Sequence, residues 1–144
     1  MTEEYPYSEK VKVQYKQYNG ILYKKVKIKD DIDVIKRYYK NNKLHRDNGP
    51  AVVENCLSGW DVASYWYKDG LIHREDGPAV EILDHMNDKV THEYYINGVQ
   101  YKESEYREKI VEYKREEKRK REHFFNTFDC RVNQTMMKTI GKYL

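Results

Sequence analysis

Residues 65–80 read Tyr65-Trp66-Tyr67-Lys68-Asp69-Gly70-Leu71-Ile72-His73-Arg74-Glu75-Asp76-Gly77-Pro78-Ala79-Val80. Beginning 28 residues earlier, the chain runs Arg37-Tyr38-Tyr39-Lys40-Asn41-Asn42-Lys43-Leu44-His45-Arg46-Asp47-Asn48-Gly49-Pro50-Ala51-Val52, without a gap between the copies. Both follow one frame: aromatic-Tyr-Lys, a turn pair, His-Arg-acid, then Gly-Pro-Ala-Val. A third copy starts at Glu93-Tyr94-Tyr95-Ile96-Asn97-Gly98 and decays after its turn, and a degenerate one precedes them from Tyr15 to Lys24. The turn pairs fall at Asn19-Gly20, Asn41-Asn42, Asp69-Gly70 and Asn97-Gly98, at spacings of 22, 28 and 28.

Asn-Gly and Asp-Gly between alternating apolar residues signal a tight hairpin, because a type I′ turn needs positive φ at both central positions. Asn42 serves in place of glycine, since Asn tolerates the left-handed region. Tyr65–Lys68 and Leu71–Arg74 are therefore expected as hairpin arms. Pro50 and Pro78 lack a backbone donor and are expected to start a strand or lie on an edge. Short strands over Ala51–Glu54 and Ala79–Leu83 would then lead, through polar turns at Leu57–Trp60 and Asp84–Asp88, into the next aromatic strand. The result is an antiparallel meander. A 28-residue unit of short strands cannot bury its own apolar face, whereas adjoining copies can. The atypical first and last copies read as caps.

The His-Arg-acid-[Asp/Asn]-Gly-Pro-Ala-Val signature and its Tyr-rich lead resemble the MORN-like repeats of large DNA viruses, in giant viruses of amoebae and large phages. The resemblance covers residues 37–102. It implies an interaction or virion-associated protein without catalytic activity, located in the host cytoplasm or the virion. True MORN repeats are shorter and carry a different glycine pattern, so their lipid or partner binding does not transfer.

A chain of 144 residues suits one domain, here with a helical appendage. Tyr supplies 15 residues, and its ring packs while its hydroxyl stays near water. That suits a thin sheet or a recognition surface better than a deep aliphatic core. The net charge is only +3. Its distribution is uneven: residues 8–40 carry 10 Lys/Arg against 4 Asp/Glu, residues 41–102 carry 6 against 10, and residues 103–144 carry 11 against 8. Cys56 and Cys130 lie far apart without metal-like spacing, which fits reduced thiols in an intracellular, non-secreted protein. No apolar run reaches the roughly 18 residues of a membrane span.

Residues 8–29 alternate as a half-buried hairpin about Asn19-Gly20. Its lysines guard an edge or form a basic recognition face. Asp30–Tyr39 reads as a short helical turn running into a strand at Lys36–Lys40. From Glu103 the chain becomes helical, with Ser104 as N-cap and a narrow stripe of Tyr106, Ile110 and Tyr113. Lys114 to Glu122 is polar all round. Phe124, Phe125 and Phe128 follow, and Asp129 is expected to cap a second helix bearing Val132, Met136, Met137, Ile140 and Leu144. This end reads as a docking element or one that folds back onto the sheet.

His45-Arg46-Asp47 and His73-Arg74-Glu75 resemble acid/base pairs, but residues that recur in every unit usually serve the unit. No Gly-rich phosphate loop or nucleophile motif accompanies them. Two histidines fall short of a zinc set, so no catalytic residue, metal or cofactor is assigned. Trp60, Trp66 and the tyrosines could stack bases, or simply pack across strands.

The sequence thus predicts an α+β protein: an antiparallel β-repeat domain over 8–102, then a charged helix and terminal helical segment over 103–144. The expected function is a non-enzymatic viral interaction or structural protein, a virion or minor-capsid component being one form of the latter. Its partner would be a protein, viral or a second copy, contacted through Tyr65, Trp66, Tyr67, His45, His73, Arg46, Arg74, Phe124 and Phe125. The alternative is nucleic-acid binding by the basic N-terminal hairpin and by Lys114, Arg115, Lys118, Arg119, Lys120 and Arg121 of the helix.

Overall fold

The computed structural model describes residues 10–19, 21–29, 33–56 and 61–140, with side chains to residue 128. The fold is α+β. Among the described residues eleven strands precede one helix: β1 (Lys10–Tyr18), β2 (Ile21–Lys29), β3 (Asp33–Lys40), β4 (Lys43–Leu44), β5 (Val52–Cys56), β6 (Asp61–Tyr65), β7 (Tyr67–Lys68), β8 (Leu71–Ile72), β9 (Val80–Asp84), β10 (Lys89–Ile96), β11 (Val99–Tyr101) and α1 (Glu103–Ile140). The main sheet runs β1-β2-β3-β5-β6-β9-β10-β11, with β4 beside β3 and a separate β7-β8 ribbon. Every pairing is antiparallel. The chain divides into two compact units, one ending at Tyr106 and one starting at Arg107.

The turn chemistry acts as the sequence predicts. Asn41 and Asn42 have φ of 48° and 62°, Asp69 and Gly70 of 52° and 88°, and Asn97 and Gly98 of 49° and 82°. All are left-handed, as type I′ turns require.

The Gly-Pro stretch does something the sequence reading did not foresee. Pro50 and Pro78 do not start strands; β5 and β9 begin two residues later, at Val52 and Val80. Tyr38 donates its N–H to the Ala51 carbonyl, and the Tyr38 carbonyl accepts from His45 N–H. One strand residue is therefore opposed by both ends of the segment 45–51, which leaves the ladder as a long bulge. Trp66 is opposed in the same way by Ala79 and His73. The repeat signature is this bulge.

Each signature residue closes the bulge or ties it to the next repeat. His45 Nδ1 accepts the backbone N–H of Asp69 at 2.9 Å, and His73 Nδ1 accepts that of Asn97 at 3.0 Å. Each bond spans 24 residues and ends on the first residue of the following hairpin turn. The other ring nitrogen, Nε2, faces Asp47 at 2.9 Å in His45 and Glu75 at 3.4 Å in His73, and His45 Nδ1 also lies 3.0 Å from Asp69 Oδ1. The Asp47 carboxyl is held below its ordinary value, chiefly by that hydrogen bond from His45. At Glu75 burial pulls upward, but the hydrogen bond and charge of Lys68, with His73, outweigh it. Arg46 and Arg74 lie 4.1 and 4.0 Å over the rings of Tyr38 and Trp66. Each donates to the proline carbonyl four residues on, at 3.3 and 3.0 Å. Gly49 needs its φ of 129°, and a side chain at Gly77 would sit 3.3 Å from the Arg74 guanidinium.

The interior of the first unit is built from the same residues. Ala51 and Ala79 are fully buried, Val52 and Val80 nearly so, and His45 and His73 are 7% and 4% exposed. Among the described residues no buried side-chain nitrogen or oxygen lacks a partner.

The third copy ends the array. Tyr101-Lys102-Glu103 stands where His-Arg-acid would recur, and the helix starts where the next bulge would be. Tyr106 covers Tyr94, the counterpart of Tyr38 and Trp66, with ring centroids 4.9 Å apart, and its hydroxyl donates to the Arg74 carbonyl at 2.8 Å. Three expectations need correction. Residues 33–40 are strand throughout, because both neighbours pair with them; residues 30–32 lie outside the described residues. The helix is capped by Lys102, whose N–H reaches Glu105 Oε2 at 3.4 Å, so Ser104 falls inside the first turn. Asp129 does not begin a second helix: with no Gly or Pro nearby, α1 continues to Ile140. The expected side-chain stripe beyond it, Trp60 and the turn at 57–60 lie outside the described residues.

Replacing His73 with Ala strands the Asn97 N–H and leaves a cavity, so a loss of about 2–3 kcal/mol is expected in urea unfolding; a change under about 0.5 kcal/mol would remove the clamp role. Burial, its largest influence, also holds the His73 imidazole below its ordinary value, against Glu75. The unfolded histidine then takes up its proton first, near pH 6.5. The unfolded chain binds more protons in that window, so stability is full above about pH 6.5 and declines below it, until the folded imidazole is protonated too. Urea midpoints between pH 8 and 5 should show that decline, and His73→Ala should flatten it.

Candidate functional site

Side chains alternate between the faces of a strand, and directly paired residues share a face. The registers of β1, β2 and β3 therefore define rungs. On one face they read Lys10-Lys29-Val34, Lys12-Lys27-Lys36, Gln14-Lys25-Tyr38 and Lys16-Tyr23-Lys40, closing with Tyr18-Ile21. On the other they read Val11-Ile28-Ile35, Val13-Val26-Arg37, Tyr15-Lys24-Tyr39 and Gln17-Leu22. Contacts confirm the division. Lys25 Nζ and the Arg46 guanidinium both approach the Tyr38 ring, at 5.5 and 4.1 Å, while Lys24 lies 4.3 Å over Tyr39.

Among the paired residues of β1–β3, the first face carries eight lysines, three tyrosines and no carboxylate. Rungs are about 7 Å apart and strands about 4.8 Å apart, so the field measures about 10 by 20 Å. It ends at β5, where Val53 and Asn55 continue the rungs of Lys36 and Val34. Lys12, Lys27 and Lys36 stand directly opposite one another, as do Lys10 and Lys29. Like charges so placed destabilise a sheet. Edge protection explains lysines on β1, which is an edge strand. It does not explain Lys25, Lys27, Lys36 and Lys40, whose strands are paired on both sides.

A concavity of about 480 Å³ opens on this face. Gln14, Lys16, Tyr23, Lys25 and Tyr38 of this face line it, with their strand neighbours Tyr15, Lys24 and Tyr39 and with His45 to Asn48 of the first bulge.

The residues singled out from sequence are dispersed. His45 and His73 are buried clamps. Arg46 and Arg74 stack and cap, and Arg74 also pairs with Asp76 and Glu81, both at 2.8 Å. Trp66 lies beneath Arg74. Tyr65 and Tyr67 sit on the opposite face, in a shallow hollow with Arg37, Tyr39, Val52 and Glu54. Burial, reinforced by Glu54, holds the Tyr65 phenol above its ordinary value. In the second unit, Phe124 and Phe125 are 66% and 67% exposed and cluster with Phe128. Lys114, Arg115, Lys118, Arg119, Lys120 and Arg121 are exposed on α1 among glutamates. Lys118 pairs with Glu122, and Lys120 with Glu116 and Glu117.

Sequence reasoning located the basic hairpin but missed that β3 extends its lysine face. The available signal was a shared parity: lysines recur at even spacing in each of the three strands. Among the described residues no three His, Cys, Asp or Glu side chains gather as a metal site. Nor is any helix there long and apolar enough to cross a membrane. No known family model matches the chain, and no curated protein or solved structure matches it.

Mutual repulsion on the lysine face makes a specific demand on stability. Raising ionic strength from about 0.05 to 0.5 M should raise the thermal midpoint, because screening relieves exposed like charges. Lys27→Glu, which sets a carboxylate between Lys12 and Lys36, should stabilise at low salt by about 0.5–1 kcal/mol. A midpoint insensitive to both changes would show that these lysines do not repel.

Proposed function

We propose that this protein is a non-enzymatic binding scaffold whose working surface is the lysine face of β1–β3, and that its ligand is a nucleic acid. The observation that carries this is the field of eight lysines with no carboxylate in its rungs and only Asp47 of the first bulge beside it, placed partly on interior strands where they cost stability. A polyanion reverses that cost, and the counterions it releases favour binding. The cations of α1 are a weaker candidate, because glutamates already neutralise much of their charge.

The repeat signature's resemblance to MORN-like viral proteins supports a viral origin and a place in the host cytoplasm or the virion. A second reading, a protein-docking or structural component, rests on the exposed Phe124, Phe125 and Phe128.

Fluorescence anisotropy with a labelled oligonucleotide, titrated across salt, tests the proposal. Binding should weaken by about three log units per decade of salt if four to five phosphates of a single strand are contacted. Lys25→Glu with Lys27→Glu should weaken it at least about 30-fold, whereas Lys118→Glu with Arg119→Glu should stay within about twofold. The first pair relieves repulsion, so misfolding is not an expected cause of its loss. Absence of binding at about 50 mM salt would overturn the proposal. Concentration-dependent association abolished by Phe124→Ser with Phe125→Ser would then favour the second reading.

A further inference from the structure

The repeats differ in what lies beside their aromatic residue. On the side of the preceding repeat, Trp66 is straddled by Ala51 N–H donating to the Tyr65 carbonyl and Arg46 N–H donating to the Tyr67 carbonyl. The whole bulge of the first repeat therefore stands next to Trp66. Tyr94 is flanked likewise by the second bulge, through Ala79 to Glu93 and Arg74 to Tyr95. Tyr38 has no preceding bulge. Its flanking residues Arg37 and Tyr39 pair with Val26 and Lys24, which leaves the single residue Lys25 in the bulge's place. The concavity of about 480 Å³ lies beside Tyr38 and Lys25, on the side where Trp66 and Tyr94 have a bulge.

We infer that this space seats a nucleobase, and that the lysine face therefore selects a single strand over a duplex. The inference rests on the nucleic-acid reading of that face. The volume lies in the range of small-ligand pockets and accommodates a base; a paired base is kept out because its faces are already stacked within the helix. Its floor includes Tyr23, in the rung between Lys16 and Lys40, so a stacked base is flanked by ammonium groups for the adjoining phosphates. Aromatic stacking of this kind is open only to unpaired bases. Gln14 and Asn48 supply amide donors and acceptors at the rim, and Asp47 an acceptor.

The test compares three labelled probes at one salt concentration: an oligothymidylate, an abasic strand of equal length, and a duplex of equal charge. The wild-type protein should bind the oligothymidylate at least about tenfold more tightly than the abasic strand, the size expected from one or two stacked bases. Tyr23→Ala should close the gap between the two single strands. Equal affinity of the wild type for normal and abasic strands would overturn the base pocket while leaving a phosphate-binding lysine face intact. No binding of any probe at about 50 mM salt would sink both. The wild-type comparison is decisive even if Tyr23→Ala fails to fold.

Discussion

A buried imidazole nitrogen accepting a backbone N–H 24 residues away is the constraint on which the repeat array depends. An antiparallel meander of short strands has weak lateral specification, since strand pairing alone does not say how one hairpin end sits against the next. The bonds from Asp69 N–H to His45 and from Asn97 N–H to His73 fix that relation twice, with the same geometry. The nearby ladder repeats it: the Gly70 and Gly98 N–H groups donate to the Leu44 and Ile72 carbonyls, both at 2.8 Å. Losing the ring would take from the turn N–H its protein acceptor and leave a gap where the imidazole packed.

The ends of the array follow from that rule. A clamp needs a following turn, so the last copy replaces His-Arg-acid with Tyr101-Lys102-Glu103 and closes its aromatic face with Tyr106 instead of an arginine. At the other end, Asn41 has no preceding histidine. Its N–H donates to the Leu22 carbonyl, and its Oδ1 accepts Leu22 N–H at 3.1 Å. A plain two-residue hairpin thus substitutes for a repeat. It satisfies the backbone but carries no bulge, and the concavity beside Tyr38 is the consequence.

Much of this was legible in the residues, for local reasons. Asn-Gly and Asp-Gly demand left-handed turns wherever they occur, and the 28-residue offset announces repeating hairpins. The bulge was not legible, because its defining bonds join Tyr38 to residues 45 and 51 and join histidine to a turn 24 residues on. Only the recurrence of histidine hinted that it served the fold. The helix end failed for the opposite reason. Ser104 and Asp129 carry local capping signals, but the chain around them lacks anything to interrupt a helix. The lysine face was half legible: alternation in β1 and β2 was clear, whereas β3 competed with a helical reading of Asp30–Tyr39. Recognising a three-strand field required the register, which no single strand contains.

The register also separates two meanings of the same lysines. Charges on an edge strand discourage pairing with another chain, and that alone would account for Lys10, Lys12 and Lys16. Lys27 has no free edge to protect. It stands between Lys12 and Lys36 on a face without a carboxylate, where any neutral residue would be less costly. The burial that stabilises this unit lies elsewhere, in the signature alanines, valines and histidines, so the N-terminal sheet can bear that cost without giving up the core. On the proposed reading, an anion offsets a surface charge that otherwise works against its own fold, beside a hollow lined by tyrosines.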